Sequence, residues 1–239
     1  MAEAAAPARG RLAAAGAAQR LMTLSRENSM PEPREKKDRR GPRAKALLVQ
    51  RAPWQPASAG AEFATALAED LRELISALGL SLLGSPGGVS GPQIRAVVES
   101  TRDPLLVFFS DVPALPPLSV EGALDSLKDY GAVLGPCADG SLYLLGLGPE
   151  LDEKLKVALL EAALVSPGEA LSVATDLLCD DEAGCGVLPP WFRIARDTDL
   201  RFAENLVRLS LLSDEGDDDV VCDRLRLWFE QTEADALPS

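Results

Sequence analysis

An uncharged run of five residues, Leu105–Phe109 (LLVFF), is the feature that most constrains the fold of this chain. A short and uninterrupted apolar run of this composition is typical of a strand that is buried on both faces of a sheet. Asp111 follows two residues later and would lie at the carboxyl end of that strand, the edge at which open α/β sheets bind their ligands. Asp is also a preferred turn residue, so Asp111 has two interpretations, a site residue and a turn cap.

Apolar runs alternate with amphipathic segments along most of the chain. Ala46–Gln50 predicts a strand, and residues 63–78 place apolar side chains at three- and four-residue steps, which predicts a helix. The alternation continues and predicts an α/β fold, a three-layer α/β/α sandwich with a mostly parallel central sheet. Ala132–Leu147 departs from it, because two apolar runs there flank Asp139-Gly140, the sequence of a hairpin turn.

The remaining elements follow from the same periodicities and from capping residues. We predict a strand at Leu80–Leu83 and helices at Gln93–Ser100, Ser119–Asp129 with Ser119 as its cap, Pro149–Val165, Gly168–Leu178 and Leu200–Leu212. Ser58 is the predicted cap of the first helix. The Gly-rich segment Ser85–Pro92 is predicted to be a connecting loop, because it lacks the strand and helix context of a phosphate-binding loop.

Charge is distributed unevenly and suggests three regions. Residues 1–45 contain 11 Lys/Arg and 5 Asp/Glu, whereas residues 46–239 contain 13 Lys/Arg and 32 Asp/Glu. We therefore predict a disordered basic tail at 1–45 and a folded domain at 46–212. Residues 213–239 predict an acidic linker and an amphipathic C-terminal segment. This segment is expected to pack on the domain, with self-association as the alternative.

Composition excludes several classes of function. The acidic body disfavours nucleic acid as a partner. The chain has no His, which excludes Ser-His-Asp and Cys-His catalysis and every His-containing zinc site. The four Cys residues show no C-x-x-C spacing and are expected to be thiols in a reducing compartment, which predicts a cytoplasmic protein. No apolar run reaches the length of about 18 residues that a membrane span needs.

Three segments together resemble one known family. Residues 111–116 (DVPALP) are similar to its pattern D-x-P-x-L-P, and residues 133–147 (VLGPCADGSLYLLGL) to V-L-G-P-x-x-D-G-G-Y-Y-L-I-G-L. Residues 188–200 resemble L-P…D-x-D-T-P-E-D-L. On these motifs the chain resembles the radical-SAM/selenodomain-associated transferase family. That family lies within the glycosyltransferase-A-like, nucleotide-diphospho-sugar transferase superfamily.

The resemblance implies a metal-dependent glycosyltransferase that uses a nucleotide-diphospho-sugar donor and an acceptor of unspecified identity. Mg²⁺ or Mn²⁺ would neutralise the leaving diphosphate, and Asp111 and Asp197 are the expected metal ligands. Asp139 is the expected catalytic residue, acting on an acceptor hydroxyl. The residues expected to bind substrate are Arg51, Gly135, Pro136, Gly140 and Tyr143.

Departures from the family pattern leave alternatives open. Only Arg51-Ala52-Pro53 remains of the basic nucleotide-binding loop K-x-P-x-x-G-x-x-K-T-R, and Ala195 stands where the first acid of D-x-D-T lies. These losses favour a degenerate, catalytically inactive member with a binding or regulatory role. A nucleotidyltransferase of the same superfamily is a further alternative. Tyr143 has a core position as its alternative, and Asp197 or the neighbouring Thr198 has a helix cap.

Overall fold

Leu105–Phe109 forms an interior strand of a mixed sheet, and all five of its residues are buried. The computed structural model describes residues 44–51, 59–84, 92–179, 181–182, 184–212 and 222–236. Within these residues, six strands form one sheet: β1 (Lys45–Val49), β2 (Ser81–Leu83), β3 (Leu105–Phe109), β4 (Ala132–Pro136), β5 (Leu142–Leu147) and β6 (Cys185–Val187).

The strand order is β2-β1-β3-β5-β4-β6. β1 pairs in parallel with both β2 and β3, and β6 pairs in parallel with β4. β5 runs antiparallel between β3 and β4, and Ala132 lies opposite Leu147 in the predicted hairpin. All the strands except β5 therefore point in the same direction, so the prediction of a mostly parallel sheet is confirmed.

Helices flank the sheet, which explains why β3 and β5 are buried along their whole length. The helices of the described residues are α1 (Ala61–Ala77), α2 (Pro92–Ser100), α3 (Pro117–Ser126), α4 (Glu153–Val165), α5 (Ala170–Leu178), α6 (Asp197–Leu212) and α7 (Asp223–Ala236). α4 contacts α2 and α5, whereas α7 contacts α1 and α6. The predicted α/β fold, with helices flanking a mostly parallel sheet, is confirmed.

Two elements differ from their predictions for local reasons. α3 spans Pro117–Ser126, whereas the sequence predicts Ser119–Asp129 with Ser119 as cap. Pro117 begins the helix because a proline at the first helical position has no N–H group to leave unsatisfied. β6 has no predicted counterpart. It is a three-residue strand with a central glycine, too short to produce an apolar pattern.

The start of α4 also differs from the prediction, because a side chain caps the helix. The sequence predicts a helix from Pro149, and the helix begins at Glu153. The carboxylate of Asp152 accepts hydrogen bonds from the backbone N–H groups of Lys154 at 2.8 Å and Leu155 at 3.3 Å. Asp152 is therefore the N-cap that sets the beginning of the helix.

The C-terminal segment packs on α1 and extends the folded body beyond residue 212. Asp70, in α1, accepts hydrogen bonds from the backbone N–H groups of Arg224 and Leu225, each at 3.0 Å. The rings of Phe63 and Trp228 meet edge to face with centroids 4.5 Å apart. A buried carboxylate of α1 thus caps the first turn of α7, and the aromatic contact covers the apolar face of that helix.

Several predictions fall on residues outside those that the structure describes. They are the basic tail up to residue 43, the cap Ser58, the Gly-rich loop up to residue 91 and the acidic linker 214–219. The described first helix begins at Ala61, after Gly60 in an extended conformation. None of the helices in the described part of the chain combines the length and the apolar character needed to cross a membrane.

Candidate functional site

Charged residues converge at one edge of the sheet. Arg51 lies two residues beyond β1, Asp111 two residues beyond β3, and Asp139 three residues beyond β4. These strands are parallel to one another, so their carboxyl ends meet at the same edge. The connection that leaves β1 leads to β2 on one side, whereas the connection that leaves β3 leads to β4 on the other, which makes the β1–β3 crevice a topological switch point of the kind that binds ligands.

Asp111 is almost completely buried, with 1% of its surface exposed. Its Oδ2 accepts from Nη1 of Arg51 at 3.2 Å and from Nη1 of Arg193 at 3.4 Å. Its backbone carbonyl accepts from the N–H of Ile194 at 2.8 Å. Its Oδ1 is buried and has no hydrogen-bond partner within the described residues. Asp111 is therefore the acidic centre of an ion-paired cluster rather than only a turn cap.

Arg51 is held inside the protein rather than on its surface. Its guanidinium group lies 3.8 Å from the centroid of the Phe109 ring, and Nη2 donates to the carbonyl of Leu142. Burial lowers the pKa of Arg51, while the adjacent Asp111 carboxylate opposes that change. Arg51 therefore depends on Asp111 for charge compensation, because an uncompensated buried charge is unfavourable.

Arg193 is the site residue that sequence reasoning missed. Its Nε donates to Oδ2 of Asp139 at 2.7 Å, and its Nη1 donates to Asp111. Nη2 has no hydrogen bond to a described residue, and 18% of the side chain is exposed. Burial lowers the pKa of Arg193, but the bonds to Asp139 and Asp111 outweigh it and leave the pKa raised. Arg193 thus joins both acids and still reaches solvent.

The segment 188–196, here called the strap, positions Arg193. The N–H of Leu188 donates to the carbonyl of Leu134 at 2.9 Å, and that of Trp191 donates to the carbonyl of Pro136 at 2.9 Å. The indole Nε1 of Trp191 donates to the carbonyl of Pro113 at 3.0 Å. These bonds fix the strap across the ends of β4 and the loop after β3, so Arg193 is preorganised.

Asp139 is engaged within its own turn. Its Oδ1 accepts from the N–H of Ser141 at 3.0 Å and from its hydroxyl at 2.5 Å, and its Oδ2 accepts from Arg193. Burial alone would raise the pKa of Asp139, but the bonds from Ser141 and Arg193 prevail and lower it. A carboxylate of low pKa is a weak general base at neutral pH. These contacts favour a role in orienting Arg193.

Tyr143 and Gly135 lie together in the core. Tyr143 is fully buried, and its hydroxyl donates to the carbonyl of Pro189 in the strap at 3.0 Å. A Cβ atom on Gly135 would lie 2.7 Å from Cζ of Tyr143. The structure therefore favours the core alternative for Tyr143, and Gly135 provides the space for its ring.

Gly140 and Pro136, both predicted to bind substrate, contact the protein backbone. Gly140 has φ 82°, a value that favours glycine, and a Cβ there would lie 2.3 Å from the carbonyl oxygen of Gly168. Pro136 ends β4 and holds Trp191 through its carbonyl. Both residues shape the β4–β5 turn on which Asp139 sits.

Asp197 lies away from this cluster, at the first residue of α6. It lines a surface groove of about 380 Å³ between α6 and α7, together with Leu200, Trp228 and Phe229. Asp199, two residues later, accepts from the backbone N–H groups of Ala195 at 2.9 Å and Arg196 at 2.8 Å. Asp199 therefore caps the helix, and Asp197 occupies its first turn, where an acid is favourable.

The cluster offers few ligands for the predicted metal ion. Within the part of the chain that the structure describes, no group of three or more His, Cys, Asp or Glu side chains is placed to hold a metal ion. Asp111 is ion-paired with two guanidinium groups, and its side chain is only 2% exposed. These residues do not fit a protein-built Mg²⁺ or Mn²⁺ site.

The cluster also lacks an evident nucleophile among the described residues. The nearest thiol is that of Cys137, whose pKa burial raises to about 11, so that it is protonated at neutral pH. Asp139 has a lowered pKa and Asp111 is buried between arginines. The arrangement is suited to holding an anionic group through Arg193 more than to removing a proton.

Part of the chain matches a protein family. Residues 63–166 match the model of a family described as an uncharacterized protein conserved in bacteria (DUF2064). This segment runs from α1 to the end of α4 and includes Asp111, Asp139 and Tyr143. No curated protein sequence matches the chain.

Comparison with solved structures supports the fold. A candidate nucleotide-diphospho-sugar transferase from Desulfovibrio desulfuricans G20 is similar over 82% of this chain and 96% of its own, with TM-score 0.55 and 15% identity. The 4-diphosphocytidyl-2C-methyl-D-erythritol synthase from Anaerococcus prevotii DSM 20548 is similar over 70% of this chain and 96% of its own, with TM-score 0.42 and 10% identity. The first of these shows that the two proteins share a fold.

Proposed function

We propose that this chain binds the diphosphate group of a nucleotide-diphospho-sugar at the carboxyl edge of its sheet and does not transfer the sugar. The observation that carries the proposal is the position of Arg193, whose partly exposed guanidinium group points into the β1–β3 switch-point edge between Asp111 and Asp139. A guanidinium group recognises phosphate oxygens with paired N–H donors.

The nucleotide class rests on the fold and on the resemblance of residues 111–116 and 133–147 to a nucleotide-diphospho-sugar transferase family. The proposal that no sugar is transferred is based on the contacts of the acidic residues. Asp139, the predicted catalytic residue, is bonded to Ser141 and Arg193 and has a lowered pKa. A binding or regulatory protein of transferase descent needs only the anion site, which the strap preorganises.

A glycosyltransferase is the second candidate, and Arg193 is also the observation that favours it. A preorganised cation beside the leaving diphosphate stabilises the negative charge that develops during transfer. Asp139 is half-exposed and lies next to that cation. A nucleotidyltransferase would use the same edge of the sheet but would bind a nucleoside triphosphate and release pyrophosphate.

Thermal unfolding with a panel of nucleoside diphosphates and their sugar conjugates tests the proposal. A ligand at about 100 times its Kd should stabilise the protein by about 2.7 kcal/mol. We expect Arg193→Ala to lose this shift. Arg196→Ala should keep it, because Arg196 is an exposed arginine three residues along the chain.

Hydrolysis or transfer of the conjugates, followed by ³¹P NMR, separates the two candidates. An unchanged conjugate in the presence of a thermal shift supports the binding protein, and release of a nucleoside diphosphate supports the transferase. Absence of a shift with every member of the panel contradicts the proposal.

A further inference from the structure

Asp111, one of the two predicted metal ligands, is paired with two arginines. We propose that the guanidinium group of Arg193 takes the place of a divalent cation between Asp111 and Asp139, so that this site binds its anionic ligand without a metal. The binding of an anionic ligand here rests on the proposed function, whereas the exclusion of a metal ion depends on the residues of the cluster alone.

Arg193 lies between the two carboxylates. Arg193 donates through Nε to Asp139 at 2.7 Å and through Nη1 to Asp111 at 3.4 Å, so one planar cation bridges the two carboxylates. These acids follow β4 and β3 and lie at the carboxyl edge of the sheet. The side chain is still partly exposed, which leaves one face of the guanidinium group for a ligand.

The charges of the cluster balance with Arg193 in place. Asp111, Asp139 and Arg51 together carry a charge of −1, which the single charge of Arg193 neutralises and a divalent cation in its place would overcompensate to +1. A divalent cation added to the arginine-filled cluster would bring the sum to +2. It would meet two like charges at contact distance, in surroundings where charges are poorly screened.

A metal ion has little access to Asp111. Mg²⁺ and Mn²⁺ usually keep several water molecules when they bridge a carboxylate and a phosphate. The side chain of Asp111 is 2% exposed, so it has no room for a hydrated ion. The strap is held by backbone and indole hydrogen bonds to β4 and to Pro113, so Arg193 does not move aside easily.

Binding of Mn²⁺ alone, measured by calorimetry and by the electron paramagnetic resonance signal of the unbound ion, tests the inference without any nucleotide. The full chain should show no stoichiometric site. Arg193→Ala should create one, binding Mn²⁺ at least tenfold more tightly, because it leaves two carboxylates without their bridging cation. The matched control Arg196→Ala should behave like the unsubstituted chain, and Arg193→Ala combined with Asp139→Asn should lose the new site.

A second variant at the same position provides the test if Arg193→Ala does not fold. Arg193→Met keeps an unbranched apolar stem without the charge and should also gain the Mn²⁺ site, with folding checked by circular dichroism. In the unsubstituted chain, the affinity for a nucleoside diphosphate should change less than twofold between EDTA and Mn²⁺.

The outcomes separate the inference from the proposed function. A stoichiometric Mn²⁺ site in the unsubstituted chain that Asp111→Asn removes would overturn the inference. No gain of Mn²⁺ binding in folded Arg193 variants would do the same, as would nucleotide binding at least tenfold stronger with Mn²⁺. If no nucleotide binds in either condition, the proposed function fails, and the Mn²⁺ titrations still decide the inference.

Discussion

The ring of Tyr143 fills the space that a side chain on residue 135 would need, since a Cβ on Gly135 would lie 2.7 Å from Cζ of that ring. Gly135 lies opposite Leu144 in the antiparallel pair β4–β5, and Tyr143 is the next residue, at an irregularity of the pairing near the turn that carries Asp139. Gly135 and Tyr143 were both expected to bind substrate, and their contact gives them a packing role that can be measured.

Gly135→Ala should destabilise the protein. An added methyl group must displace a buried ring, and overpacking of this kind costs about 1–3 kcal/mol. Urea unfolding should show the loss as a lower midpoint with an unchanged slope. Gly122→Ala is the control, because a Cβ there would lie 3.7 Å from Leu188 Cδ2 in the interior of α3, where Ala is favoured over Gly by about 1 kcal/mol. Equal midpoints for Gly135→Ala and the unsubstituted chain would argue against a packing role.

Asp111→Asn separates a metal ligand from an ion-paired core residue. The metal prediction expects the fold to stay intact and metal-dependent nucleotide binding to be lost. The cluster predicts lower stability, because Asn leaves the buried charge of Arg51 without its carboxylate, at a cost of about 3–5 kcal/mol. Urea unfolding measures the difference.

Asp103→Asn provides the control for that substitution. It breaks the exposed pair with Lys45, whose atoms are 2.9 Å apart, and should cost less than about 1 kcal/mol. Adding Arg51→Met to Asp111→Asn should recover part of the stability, because the unpaired charge is then removed. Full stability of the single Asp111→Asn variant would remove the ion-pair argument.

Asp70 should make stability depend on pH. Burial raises its pKa from the ordinary 3.8 to about 6, despite bonds from the N–H groups of Arg224 and Leu225 and with further contributions from Asp223 and Glu73. Since the folded state then holds the proton more tightly than the unfolded state, Asp70 lowers stability as pH rises from about 4 to about 6. The full effect is about 3 kcal/mol.

The measurement is the unfolding free energy of the chain relative to Asp70→Asn at pH 4.5 and pH 7. Other carboxylates titrate in both proteins and cancel in the difference. The unsubstituted chain should lose unfolding free energy relative to Asp70→Asn as the pH increases. A difference that is constant with pH would mean that the pKa of Asp70 is ordinary.

Leu225→Ala tests whether α7 belongs to the folded domain. Leu225 is fully buried in the apolar cluster around Phe63, so the substitution should cost about 2–5 kcal/mol. Leu227→Ala, on the same helix but 43% exposed, should cost much less. Similar midpoints for the two variants would show that α7 contributes little and that the domain ends near residue 212.

The sheet was predictable because most of its strands can be recognised from their own residues. Leu105–Phe109 is apolar throughout, and a strand buried on both faces needs no partner to be recognised. The hairpin was predictable from Asp139-Gly140 for a similar reason. β6 was not, because its pairing with β4 depends on a neighbour rather than on its own three residues.

The site was predictable only in part. Asp111 could be found because it follows a recognisable strand, but its two arginine partners are 60 and 82 residues away in the chain. Arg193 reaches the cluster only after Trp191 and its neighbours fix the strap, and no periodicity encodes such contacts. The available signal was compositional, a single arginine within the apolar segment Leu188–Ala195 (LPPWFRIA).

The burial of Arg51 beneath Asp111 limits the order in which substitutions can accumulate at this edge of the sheet. Loss of either partner alone removes about 3–5 kcal/mol, a large share of the 5–15 kcal/mol that separates folded from unfolded domains. An evolutionary path between an arginine-filled site and an open acidic one that replaces these residues one at a time would therefore pass through proteins of low stability. Replacement of both residues together, or earlier stabilisation elsewhere such as through α7, avoids those intermediates. Sequences related to this one should accordingly carry a basic residue at position 51 together with Asp111, or lack both.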